Sequence, residues 1–178
     1  LDSTYRYPFN MTLGAVQDLK LIEKVGENMA KESKRMGIHF NFAPVLDINT
    51  NPKNPIIGFR SFGENKVNVT EKAIALMQGF QSQGVFSTGK HFPGHGDTST
   101  DSHYTLPTIN ATKEHLDKIE LYPYKRMIDE GMASVMVAHL NVPSLEFRDG
   151  HPSSLSYNVV TNLLKKEMGF DGLIFTDA

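Results

Sequence analysis

Three imidazoles, one ammonium and two carboxylates fall within fourteen residues of this chain, Lys90-His91-Phe92-Pro93-Gly94-His95-Gly96-Asp97-Thr98-Ser99-Thr100-Asp101-Ser102-His103. Pro93, Gly94 and Gly96 argue against a continued helix or strand, so the segment reads as a loop whose polar groups are placed by the elements around it. What enters is Val85-Phe86-Ser87-Thr88-Gly89, a run of β character that leaves Lys90 and His91 at a strand's carboxyl end. Any one of these residues alone would be a turn former or a surface charge; together they favour chemistry. Asp101 and His103 stand two positions apart, so the carboxylate can orient and charge-stabilise an imidazole that moves a proton near neutral pH.

The elements that must position this segment alternate in type. After a Pro- and Gly-punctuated coil over residues 1–14, apolar positions Leu19, Ile22, Val25 and Met29 keep helical spacing until Lys34 and Arg35 meet Gly37. Residues 38–46 form a nearly continuous apolar run, the pattern of a strand buried on both faces, and end at Asp47. A long Asn- and Pro-rich connection over 48–64 holds Gly58-Phe59-Arg60-Ser61-Phe62-Gly63 and is a candidate functional loop. A second helix closes at Gly84. Thr112 is placed to N-cap a third, Pro123 suits the first turn of a restart, and Gly131 stops it. Residues 132–140 read as another buried strand ending near His139; a helix after Ser156 ends at Gly169, and a last strand over 172–176 delivers Asp177. Helix-strand alternation argues parallel pairing with right-handed crossovers, hence an α/β barrel or an open doubly wound sheet. No Gly-x-Gly-x-x-Gly turn follows a strand, while Asp47, Lys90 with His91, His139 and Asp177 fall at strand carboxyl ends, which favours the (β/α)8 TIM barrel. Asp47 and His139 could equally cap or hydrogen-bond their own loops.

Lys-His-Phe-Pro-Gly-His-Gly, four residues, then Asp-Ser-His resembles the hallmark loop of the bacterial β-N-acetylglucosaminidases of glycoside hydrolase family 3, and the Gly58-Phe59-Arg60-Ser61-Phe62 run is typical of the same group. The resemblance implies a retaining exo-β-N-acetylglucosaminidase acting on cell-wall muropeptides or related glycans, in which the acid/base is a His on a mobile loop assisted by an Asp two residues before it. His103 and Asp101 match those places. Asp177, at the tip of an apolar strand, suits the carboxylate that attacks the anomeric carbon. Lys90, His91 and Arg60 match substrate contacts; His95 reads as loop architecture. A further sugar-binding Asp that the family places upstream has no counterpart here. Nearest alternatives within the family are β-glucosidase or β-xylosidase specificity, and transfer of the sugar to phosphate, since an imidazole tolerates an anionic acceptor better than a carboxylate does.

Composition narrows the remaining classes. At 178 residues with 39% apolar side chains the chain can bury a real core, yet a complete barrel needs about 250 residues. It is therefore expected to be a single fragment, residues 1–178, of a barrel domain truncated at both ends, with about four strands. A net charge of −2 and a pI near 6.4 leave no electrostatic footprint for nucleic acid. The sequence has no apolar run of about 18 residues for a membrane span. The absence of Cys removes disulfides and thiolate metal sites. A metal-dependent hydrolase could recruit His91, His95, Asp101 and His103, but their spacing is poor for it and Lys90 would repel the cation; no metal or cofactor is expected. A noncatalytic α/β binding domain is the remaining class. The start of the chain carries neither an initiator Met nor a leader-like segment, leaving the compartment open between cytoplasm and periplasm.

Overall fold

The computed structural model describes residues 4–97 and 106–177. Among them the chain forms helices α1 (Asn10–Gly14), α2 (Leu19–Arg35), α3 (Lys66–Ser82), α4 (Lys113–Lys118), α5 (Leu121–Asp129) and α6 (Asn158–Glu167), the last wound with wider π-type hydrogen bonds. The strands are β1 (Phe40–Asn41), β2 (Phe86–Phe92), β3 (Ser134–Val137) and β4 (Leu173–Thr176). They pair in parallel in the order β1-β2-β3-β4. Sequential parallel strands joined by helices make part of a (β/α)8 barrel.

Each helix begins and ends where local chemistry dictates. Asp18 Oδ1 accepts from the Lys20 N–H (2.9 Å), Asn65 Oδ1 from Val67 and Asn68 (3.0 and 3.1 Å), and Thr112 Oγ1 from His115 (3.2 Å), each satisfying donors that a helix start leaves open. The four expected stops, Gly37, Gly84, Gly131 and Gly169, all take φ between 71° and 79°. Helices α2 and α3 meet backbone to backbone at Gly26 and Gly79: a Cβ on Gly79 would stand 2.1 Å from the Glu23 carbonyl oxygen. That close approach seats Ile22 and Ala30 against Ala73, Met77 and Phe80 in the core beneath the sheet.

Three expectations change. Residues 10–14, read as coil, form α1. The apolar run over 38–46 contributes only Phe40–Asn41 as regular strand, because Pro44 has no N–H to donate. The chain nevertheless follows β2 irregularly, with Thr88 N–H on Ala43 C=O (2.9 Å) and Leu46 N–H on Lys90 C=O (2.7 Å). Phe42 is 46% exposed, so that run is not buried on both faces. Finally, β2 runs through Lys90 and His91 to Phe92, three residues past Gly89. The reactive loop thus starts later than its polarity suggested. On the sheet, Phe40, Phe42, Phe86 and Phe175 form an aromatic cluster with centroids 5.0 to 5.5 Å apart.

Candidate active site

Four chain segments meet at the carboxyl ends of the strands. Asp47 follows the irregular continuation of β1, Lys90 and His91 close β2, and Asp177 follows β4 with its N–H on the Val137 carbonyl (2.9 Å). Arg60 ends a 3-10 turn, Gly58–Arg60, inside the long connection. Asn side chains order that connection: Asn54 Oδ1 accepts from the Ile56 and Ile57 N–H groups, its Nδ2 donates to the His95 carbonyl (2.8 Å), and Asn10 Nδ2 of α1 donates to the Arg60 carbonyl (2.7 Å). Ser61 Oγ donates to the Asp47 carbonyl (2.6 Å), tying the Arg60 turn to the strand end.

Asp47 is the buried hub. Its carboxylate lies 2.6 Å from His91 Nδ1 and accepts the backbone N–H groups of His91 (3.3 Å to each oxygen) and His95 (2.7 Å). Burial alone would push its pKa up; the charge and hydrogen bonds of His91, then His95, outweigh that and hold the carboxyl below its ordinary value. An ionised carboxylate only accepts, so His91 carries a proton on Nδ1 and turns its other ring nitrogen, Nε2, toward Arg60. One guanidinium nitrogen of Arg60 meets that Nε2 at 3.2 Å, and the other donates to the Ile56 carbonyl at 3.2 Å. Asp177 Oδ2 lies 3.9 Å from the same Nε2, with its side chain 39% exposed. Lys90, half-buried, has its pKa lowered by burial first and then by Arg60, against the opposing pull of Asp177 and Asp47.

The arrangement offers a polyhydroxylated ligand donors from Arg60 and Lys90, the His91 ring edge, and a part-exposed carboxylate at Asp177. Of the residues singled out from sequence, the fold therefore brings Arg60, Lys90, His91 and Asp177 together and adds Asp47, which had been left between two roles. His95 holds the Asp47 carboxylate through its backbone; its imidazole pKa is pushed down by burial, with Asp47 opposing. His139 is exposed and bonds Ser154 Oγ through Nδ1 at 2.7 Å. Asp101 and His103 lie outside the described residues. One buried carboxyl beside this site, Glu120, escaped sequence reading altogether. A cavity of about 1030 Å³ lies elsewhere: Tyr5, Lys34, Arg35 and Gln83 line it, at the ends of α2 and α3 that lead into the strands' amino ends. No group of three His, Cys, Asp or Glu side chains among the described residues is arranged to hold a metal ion.

With that geometry, the chain belongs to glycoside hydrolase family 3: the model of the glycosyl hydrolase family 3 N-terminal domain matches residues 2–178. It is 37% identical over 182 residues to β-hexosaminidase A of Pseudoalteromonas piscicida, covering 95% of this chain and 30% of that one. A glycoside hydrolase family 3 β-N-acetylglucosaminidase from Paenibacillus sp. str. FPU-7 superposes with a TM-score of 0.92 at 45% identity, over 95% of this chain and 32% of that one. The β-glucoside phosphorylase BglX superposes with a TM-score of 0.95 at 30% identity, over 100% of this chain and 33% of that one. The chain thus spans a third to half of the length of the relatives it matches.

Proposed function

We propose that the protein is a retaining exo-β-N-acetylglucosaminidase that releases terminal N-acetylglucosamine from cell-wall muropeptides or related glycans. The convergence of Asp177 with Arg60, Lys90 and His91 at one end of a family 3 barrel carries this reading. In the first step Asp177 attacks the anomeric carbon while His103, oriented by Asp101, gives its proton to the departing glycosidic oxygen; the C1–O bond breaks and a glycosyl ester to Asp177 forms. In the second step His103, now neutral, takes a proton from water, which attacks the same carbon and frees Asp177. An imidazole with a pKa of about 6.5 serves both steps without the burial that a carboxylic acid in this role requires. Arg60, Lys90 and His91 hydrogen-bond sugar hydroxyls.

The expected result with the full chain is faster release of p-nitrophenol from an aryl N-acetyl-β-glucosaminide than from the matching β-glucoside or β-xyloside. Loss of that release in both Asp177→Asn and His103→Ala is expected. Equal rates on the three sugars, or undiminished rates in the variants, would contradict the reading. Likeness to a β-glucoside phosphorylase supports a second reading, in which phosphate replaces water in the second step. Glycosyl phosphate formed in phosphate buffer, with hydrolysis slow in phosphate-free buffer, would favour it.

A further inference from the structure

Beside the Asp47 network, a second buried carboxyl touches the turn that follows His91. Glu120, immediately before α5, is 3% exposed, and among the described residues neither of its carboxyl oxygens has a hydrogen-bond partner of good geometry. It sits against the turn itself: Gly94 holds φ at +137°, and a Cβ there would stand 2.6 Å from Glu120 Cβ and 2.7 Å from its Cγ. One helical turn along α5, Tyr124 is fully buried, its ring edge-on to Phe92 with centroids 5.0 Å apart and planes at 88°. Positions 120 and 124 share one helix face, so the start of α5 supports residues 92–94 while Asp47 holds His91 and His95 from the β1 side.

Burial disfavours the charged form of a carboxyl that lacks a close, well-aligned donor. The titratable groups that face Glu120 are His115 of α4, with Nε2 3.5 Å from Oε1, Asp97 of the turn, and Tyr124 on its own helix. Burial raises the Glu120 pKa and Asp97 adds to the rise, against its own backbone N–H and His115.

We propose that Glu120, wedged beneath Gly94, is a positioning residue for the turn that leads from Lys90 and His91 to Asp101 and His103. Its kinetic consequences rest on the glycosidase reading above; its effect on the turn does not. A carboxyl whose folded pKa lies above its ordinary value of 4.5 costs stability progressively as pH rises from that value through the folded one, and an amide at the same place does not.

In the full chain, Glu120→Gln is expected to gain thermal midpoint relative to wild type as pH rises above the ordinary carboxyl value of 4.5. Glu120→Ala is expected to speed amide hydrogen exchange at residues 94–97 and to lower kcat on an aryl N-acetyl-β-glucosaminide by about tenfold or more at little-changed KM, with Glu120→Gln restoring most of both. Midpoints of Glu120→Gln and wild type that run parallel across pH, or exchange at 94–97 that is the same in all three proteins, would overturn the proposal. If Glu120→Ala does not fold, the Glu120→Gln midpoints still decide. A wild type without glycosidase activity would refute the function proposed above and leave midpoint and exchange to judge Glu120.

Discussion

Asp47 accepts from one imidazole and two backbone N–H groups in a space closed to water, and through His91 it fixes which nitrogen faces Arg60 and Asp177. Removing it leaves those donors buried and unpaired, so Asp47→Ala is expected to cost about 3 kcal/mol in chemical denaturation; a loss below about 0.5 kcal/mol would show that water replaces it. Because its folded pKa is lowered, the stabilisation is complete above the ordinary value of 3.8 and is lost as pH falls through the folded value. Asp47→Asn should therefore lack that acid-side loss in a denaturation series below pH 3.8. Sequence could nominate Lys90, His91, Arg60 and Asp177 because their motifs are unusual, but Asp47 looks like any strand-end turn former. Glu120 gave no signal: in Ile119-Glu120-Leu121 it has the pattern of a solvated charge on an amphipathic helix, and only the approach of Gly94 shows otherwise.

Elements were most legible where a single residue type settles the backbone. The four glycine stops mark helix ends because each needs positive φ, and Thr112 marks a start because its hydroxyl meets an open N–H. Strand limits were less legible. A continuous apolar run fits an irregular extended segment as well as a hydrogen-bonded ladder, so residues 38–46 were over-read, while the polarity of Lys90 and His91 hid the last three residues of β2, Lys90 to Phe92. The same contrast predicts different costs for two glycines. Gly37→Ala meets only backbone strain, since nothing lies within 4 Å of its Cβ, and should cost about 1 kcal/mol. Gly94→Ala adds a collision with Glu120 to a conformation that side chains avoid, and should cost more than about 2 kcal/mol. Equal losses in urea titrations would show that the 94 turn yields freely.

At the scale of the molecule, four parallel strands with helices between them leave Phe42, Phe86 and Leu173 between 46% and 55% exposed. Exposed apolar surface of this kind on a sheet calls for a cover. We propose that further strands outside these 178 residues supply it; the relatives it matches are longer chains. The 178 residues expressed alone should accordingly bind a hydrophobic dye, and Phe86→Ser should weaken the signal; dye binding no greater than that of a closed globular protein would contradict this. The barrel was legible from helix-strand alternation because parallel pairing leaves few other topologies, whereas the meeting of distant groups was not, since no local pattern encodes that Arg60 and Asp177 both face His91. The central claim is that Asp177 is the carboxylate that attacks the sugar held by those groups. Incubating the full chain with a slow fluorinated N-acetylglucosaminyl fluoride and locating the label by mass spectrometry of its peptides tests this most directly: the account predicts one glycosyl group esterified to Asp177, and a label on another carboxylate, or a turnover with no covalent species and inverted product, would contradict it.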